Sequence, residues 1–210
     1  MSKYMLTGIL AAGMFFLTSC GGSETKTTDS GTAEPASAGK SDAKAAPAPE
    51  VKIDVAGWVA TDLSTASKMI PMMLNLPKDA KIEKNGNGGV DVLLNSAYTI
   101  TISSQAVSNI KEAMKGDKDL TINNTTSYKN GKAIVDEPNG FVYSMQMKDE
   151  ANGTKYEPEA HFFFYIEKDG AIYSVQDARP MSNGFLSGKT YTEDNAKKLY
   201  ESVKASAKLK

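Results

Sequence analysis

Hydrophobic and polar residues follow three different patterns along this 210-residue chain. Residues 4–17 are almost entirely apolar, whereas residues 21–50 contain no Leu, Ile, Val, Met or aromatic residue. A segment that cannot bury apolar surface cannot offset the entropy that ordering costs. The pattern therefore predicts an apolar N-terminal segment (residues 1–19), a disordered tether (20–50) and a single folded domain (51–210).

Alternation of apolar and polar residues predicts short β-strands throughout the domain. Met72, Leu74 and Leu76, for example, lie on one face if their segment is extended. Segment 85–89, which consists of Asn and Gly, and segment 168–170, which is Lys-Asp-Gly, predict hairpin turns. The predicted strands cover residues 51–59, 70–76, 80–84, 90–94, 98–103, 120–127, 132–136, 141–147, 161–167 and 171–176, with a turn at 129–131.

Two segments change to the helical period. Apolar residues recur at helical spacing from about Gln105 until Gly116, which predicts an amphipathic helix that ends at the glycine. A second helix is predicted over residues 192–205, with Thr192 as its N-cap. Runs of strands interrupted by helices are typical of the α+β class. We therefore expect a largely antiparallel sheet of short hairpin-linked strands, flanked by two or three helices.

The order of these elements over residues 70–205 resembles the Mog1/PsbP-like fold. That family has an antiparallel sheet flanked by helices, and it includes photosystem accessory proteins and nuclear-transport factors. The resemblance implies an architecture and no particular function, because one fold serves many functions.

The first 20 residues have the features of an export signal. Lys3 precedes the apolar run, which is too short to cross a bilayer, and the run ends in Leu17-Thr18-Ser19-Cys20. This ending resembles the lipobox of bacterial lipoproteins. The resemblance implies cleavage before Cys20, diacylglycerol on its sulfur and acylation of the new amino terminus. An ordinary cleaved signal with a chance cysteine is the alternative.

The same resemblance implies where the protein lies. Two or three acyl chains exceed what stable membrane anchoring requires. Gly21 follows the cysteine, where an aspartate would favour retention in the inner membrane. We therefore expect a protein anchored to the outer membrane and facing the periplasm, with the lipid membrane as one partner and an envelope protein as a possible second one.

Charge and composition narrow the function classes. The chain has 24 basic and 25 acidic residues, and Arg179 is its only arginine. Such a balance provides no field that would attract nucleic acid. Cys20 is the only cysteine, so the domain has no disulfide and depends on its hydrophobic core.

One polar pattern could bind a metal. Glu157, Glu159 and His161 are spaced by two, so an extended backbone would place all three on one face, and carboxylates with imidazole suit zinc. Pro158 argues against a regular central strand at this position. The alternative is a solvated strand face without a metal, and we predict no resident metal or cofactor.

The aromatic run 162–165 predicts two differently used faces. Phe162 and Phe164 are expected to enter the core, while Phe163 and Tyr165 point to the other side. They would either pack under a helix or line a ligand groove.

Motifs of known chemistry are missing from the sequence. It contains no Gly-rich phosphate loop, no G-x-S-x-G elbow and no H-E-x-x-H pair, and it has one histidine. These observations favour a non-enzymatic binding or structural module, with no predicted catalytic residues. An envelope hydrolase that uses scattered Ser, Lys and carboxylate groups is the alternative.

Overall fold

Two antiparallel sheets and two α-helices make up the part of the chain that the structure, a computed structural model, describes. The described residues are 51–95, 98–151, 153, 155–177 and 189–210. They belong to one unit, Ala45–Lys210. The α+β class and the antiparallel pairing are confirmed. The predicted signal, Cys20 and the tether lie outside the described residues.

Seven strands form the larger sheet, in the order β3-β4-β5-β9-β8-β7-β6. Every neighbouring pair is antiparallel. Their bounds are Lys81–Lys84 (β3), Val90–Leu93 (β4), Thr99–Gln105 (β5), Tyr128–Glu137 (β6), Gly140–Met147 (β7), Glu159–Lys168 (β8) and Ala171–Asp177 (β9). Both predicted hairpins are present, and Asp169 and Gly170 supply the positive φ angles of 53° and 76° that the β8–β9 turn requires.

Three shorter strands form a second sheet with β2 in its centre. They are Val59–Asp62 (β1), Met72–Leu76 (β2) and Lys208–Leu209 (β10). The predicted alternation of β2 is confirmed, because Met72, Leu74 and Leu76 are all buried.

The two helices are Ile110–Leu120 (α1) and Glu193–Ser206 (α2). Each has a side-chain cap at its N-terminus: Asn109 accepts from the Glu112 amide, and Thr192 accepts from the Asn195 amide. Within the described ranges, no helix combines the length and apolar character that crossing a bilayer requires.

Side chains on the two faces of the seven-stranded sheet enter two separate cores. Phe162, Phe164 and Leu199 belong to a large cluster that joins α2 and the three-stranded sheet, which we call the α2 core. Phe163 and Tyr165 belong to a smaller cluster with Met114 of α1, which we call the α1 core. The alternation predicted for β8 is therefore confirmed.

Helix α1 lies further along the chain than predicted. Strand β5 continues to Gln105, which pairs with Ile172. The Asn109 cap therefore starts the helix later, and Gly116 lies inside it rather than at its end. Glycine in an exposed helix interior costs only about 1 kcal/mol relative to alanine, which the helix tolerates.

Two predictions around β6 are wrong. Residues 120–127 end α1 and form turns instead of a strand. The predicted turn at 129–131 is a bulge inside β6, where Asn130 has a φ of 59° and the pairing register shifts between Lys129 and Lys132. A Cβ atom on Gly131 would lie 2.4 Å from the Ile122 carbonyl oxygen, so this close approach requires glycine.

The predicted strand 51–59 is also wrong, because β1 begins only at Val59. The backbone before β1 forms hydrogen bonds with a side chain of α2 instead of pairing with another strand. The Ile53 amide donates to Asn195 Oδ1 at 3.0 Å, and Asn195 Nδ2 donates to the Val51 carbonyl at 2.6 Å.

Candidate functional site

His161 lies fully buried in β8 between two carboxylates. Its Nδ1 atom is 3.2 Å from Asp177 Oδ1, and its Nε2 atom is 3.3 Å from Glu159 Oε2. Glu159 precedes it by two residues, so both side chains emerge on the same face of the strand. Asp177 is the last residue of the neighbouring strand β9. Strand pairing therefore places one imidazole between two acids.

Asp177 has two further donors. The Tyr98 hydroxyl donates to Oδ2 at 2.5 Å, and the Phe162 amide donates to Oδ1 at 3.2 Å. Burial, together with Asp177, raises the pKa of Tyr98 well above its ordinary value, so this phenol stays a donor. Asp177 is thus held in place by Tyr98, just before β5, and by His161 and Phe162 of β8.

The two acids keep His161 protonated. Burial by itself lowers the pKa of His161, because a charged imidazole loses its hydration. Asp177 and then Glu159 outweigh that effect by charge attraction and hydrogen bonding, and they raise the pKa of His161 to about 9. One imidazole thus contacts two carboxyl groups in the interior.

Tyr191, just before α2, covers this cluster. Its ring centroid lies 4.9 Å from that of His161 and 4.6 Å from that of Tyr98. Its carbonyl accepts from the Ala160 amide at 2.7 Å, which fixes the segment against β8. The side chain is 1% exposed, and its hydroxyl has no hydrogen-bond partner among the residues that the structure describes. Buried polar groups are ordinarily satisfied, so this hydroxyl is an exception.

A cavity of about 490 Å³ adjoins Glu159 and Tyr191. This volume lies within the range of small-molecule sites, roughly 300–1,000 Å³. The described lining comes from β6 (Asn130, Lys132), β7 (Ser144, Met145), the start of β8 (Pro158, Glu159, Ala160) and the start of α2 (Tyr191, Thr192, Glu193). The cavity therefore joins strand ends to a helix N-terminus, and a buried acid forms part of its wall.

The three residues of the predicted metal pattern are not arranged around one point. Glu157 is exposed and precedes β8, whereas Glu159 and His161 contact each other. The two ring nitrogens of His161 point to opposite sides, so Glu159 and Asp177 do not converge on one position. Across the described ranges, no three His, Cys, Asp or Glu residues are grouped as metal ligands would be.

Phe163 and Tyr165 pack beneath α1, the first of the two predicted arrangements. They are 1% and 0% exposed, and their rings stack with centroids 6.1 Å apart. The Tyr165 hydroxyl donates to Asp117 Oδ2 of α1 at 2.7 Å. Neither residue is a lining residue of the cavity beside Glu159.

A second cavity of about 500 Å³ lies beside α1. Three lysines contribute to its wall, but two of them already contact acids. Lys115 Nζ is 2.6 Å from Asp119, and Lys118 Nζ is 2.7 Å from Asp136. We therefore regard the cavity beside Glu159 as the candidate site.

Sequence reasoning found Glu159 and His161 but missed three neighbours. Asp177 and Tyr191 contact His161, and Tyr98 contacts both of them. Nothing in their local sequence marks these three residues as partners. The spacing of Glu159 and His161 was the local signal, and in the structure Glu159 and Asp177 contact the imidazole itself.

Comparison of the chain with protein-family models, with curated proteins and with solved structures gives no match in any of the three.

Proposed function

We propose that this chain is an exported, lipid-anchored protein of the bacterial envelope whose domain binds a small ligand in the cavity beside Glu159. The binding is non-enzymatic, and the domain stays attached to the outer membrane on its periplasmic side. The observation that carries the proposal is a ligand-sized cavity with a buried acid in its wall.

The anchor is supported by the ending Leu17-Thr18-Ser19-Cys20. A thiolate is the side chain suited to thioether formation, and Cys20 is the only cysteine in the chain. A tether of 30 residues would span about 30 Å as a flexible coil, which holds the domain away from the lipid surface.

Binding is favoured over hydrolysis by the position of His161. A general base must reach the proton that it removes. The His161 side chain is fully buried, and both of its ring nitrogens contact carboxylates. It therefore supports the wall of the site and does not activate a nucleophile in it.

We also propose that the domain is a Mog1/PsbP-like sandwich. The support is the order of elements: hairpin strands β3–β5, then α1, then the meander β6–β9, and finally α2. Helices lie against both faces of the antiparallel sheet, through the α1 core and the α2 core.

One preparation tests the anchor and the binding site. The full chain is expressed in a Gram-negative host and isolated from the membrane fraction, and its mass is measured both denatured and native. The denatured mass should correspond to a chain that starts at Cys20 and carries diacylglycerol and an acyl group. The native mass should include a retained small molecule from the envelope.

Two variants serve as matched comparisons. Ser144→Trp fills the cavity and should abolish the retained mass, while Ser104→Trp adds the same side chain at an exposed site on β5 and should not. Cys20→Ser should remove the lipid. A wild-type chain that retains no small molecule, or retains it equally in Ser144→Trp, contradicts the binding function.

A further inference from the structure

We infer that the ligand of this cavity carries a primary ammonium group, which binds to the carboxylate of Glu159. The inference rests on the proposed binding function and specifies its ligand class. It follows from the contacts of Glu159, from the other side chains of the wall and from the charges at the rim.

Glu159 has one charged partner, which it shares with a second acid. His161 lies 3.3 Å from Glu159 and 3.2 Å from Asp177, so a single imidazole contacts both. At the rim, Glu193 lies 3.6 Å from both Lys132 and Lys197. Among the described residues no lysine contacts Glu159, and an ammonium group in the cavity would give this buried acid a cationic partner of its own.

The Glu159 carboxylate can accept from an ammonium group. Glu159 contacts His161 through Oε2 and is itself a lining residue of the cavity. An ammonium group has three donors, so it can bind this carboxylate and keep donors for water or for Ser144, another lining residue.

A metal ion fits this wall less well. Calcium takes six to eight oxygen ligands, and magnesium requires octahedral geometry. Over the described residues, His, Cys, Asp and Glu form no group of three that could hold an ion. The apolar side chains of Met145 and Pro158 also line the cavity, and they suit the hydrocarbon attached to an amine.

The N-terminus of α2 lies at the rim, and a helix N-terminus favours anions. Its first turn carries Glu193 and Asp194, whose charges offset that preference. The helix N-terminus therefore does not make this cavity an anion site.

Benzylammonium, benzyl alcohol and benzoate test the inference, because they share one ring and differ in the charge of the head group. Their binding to the full mature chain is followed by amide NMR shifts of Ser144, Ala160 and Thr192. Benzylammonium should bind about tenfold more tightly than benzyl alcohol, and benzoate most weakly, as expected for a charge-assisted contact.

Three variants separate the contact from general effects on the fold. Glu159→Gln should weaken benzylammonium binding by about tenfold and leave benzyl alcohol unchanged. Glu167→Gln makes the same change at an exposed position of β8 and should have no effect. Lys132→Met removes an exposed positive charge and should strengthen benzylammonium binding. Because misfolding can only weaken binding, this gain would show the effect of charge independently of the fold.

The outcomes separate this inference from the proposed function. If benzoate or benzyl alcohol binds as tightly as benzylammonium, the ammonium inference is wrong and the binding function stands. The same holds if the native mass reveals a retained ligand without an amine. If none of the three probes shifts these amides and no ligand is retained in the native mass, both proposals are wrong.

Discussion

The α2 core and the α1 core lie on opposite faces of one sheet and differ in chemistry. The α2 core is mainly aliphatic and joins both sheets to α2, which buries Ala196, Leu199, Tyr200 and Val203. The α1 core has five aromatic residues among nine, and α1 buries only Ala113, Met114 and Asp117. Because the first core includes more elements, it should contribute more to stability.

The short length of β8 that α1 covers also explains where the candidate site lies. Along the α1 face of β8, Tyr165 bonds to α1, whereas Glu159 at the other end lines a cavity to which α1 contributes no described residue. The rings of Phe163, Tyr143 and His161 connect the two ends, with centroid separations of 5.9 Å and 5.7 Å. The end of the face that the short helix leaves uncovered is the end that holds the polar groups.

The largest expected effect comes from truncating the α2 core. Leu199→Ala removes a fully buried side chain and should lower the free energy of unfolding by about 3–5 kcal/mol. Met114→Ala, at a residue 8% exposed in the α1 core, should cost about 2 kcal/mol because the site is less enclosed. Urea denaturation of the full chain measures both. Equal losses would mean that the two cores contribute alike.

The free energy of unfolding should depend on pH through His161, which lies on the face of β8 that packs against α1 further along the strand. Since the pKa of His161 is raised from 6.5 to about 9, its contribution to stability is complete below pH 6.5 and is lost as the pH rises through 9. The loss should amount to no more than about 3 kcal/mol. Urea denaturation at pH 6, 7.5 and 9 measures it, and His161→Gln should remove the slope over this interval. A wild-type slope that persists in His161→Gln would assign the effect to other groups.

The smallest expected loss of stability comes from removing a helix cap, and it allows the two helices to be compared. Asn109→Ala and Thr192→Ala each remove one side-chain acceptor from a helix N-terminus, which costs about 1 kcal/mol. Similar values are expected although the helices belong to different cores, because capping is local. Thermal unfolding of the two variants, with Asn109→Ser and Thr192→Ser as conservative controls, checks this. A cost at Thr192 several times larger would indicate that the cap also supports the cavity wall.

Several features could be predicted from the sequence because they depend on neighbouring residues. Phe162 enters the α2 core and Phe163 the α1 core because successive side chains of a strand point to opposite faces. The turn at Asp169 and Gly170 follows from residues that accept positive φ. The Thr192 cap follows from its side chain and the acidic residues after it.

Other features could not be predicted, since they depend on contacts distant in sequence. Asn130-Gly131 has the composition of a turn, yet it forms a bulge because Ile122 packs against its backbone. Gln105 was assigned to a helix, yet it extends β5, where its Nε2 atom donates to Ser174 of β9 at 2.6 Å. Local propensity is a weak prior that tertiary context overrides.

The sequence by itself determined the α+β class, the alternation of β8, the two hairpin turns and one helix cap, because each depends on residues a few positions apart. It also placed Glu159 and His161 on one face of a strand. Only the tertiary structure decided their environment. The strand order β5-β9-β8 brings Asp177 to His161 and Tyr98 to Asp177, and the segment before α2 brings Tyr191 over His161 and Tyr98. Strand order and burial depend on the whole chain, so no local pattern could specify them.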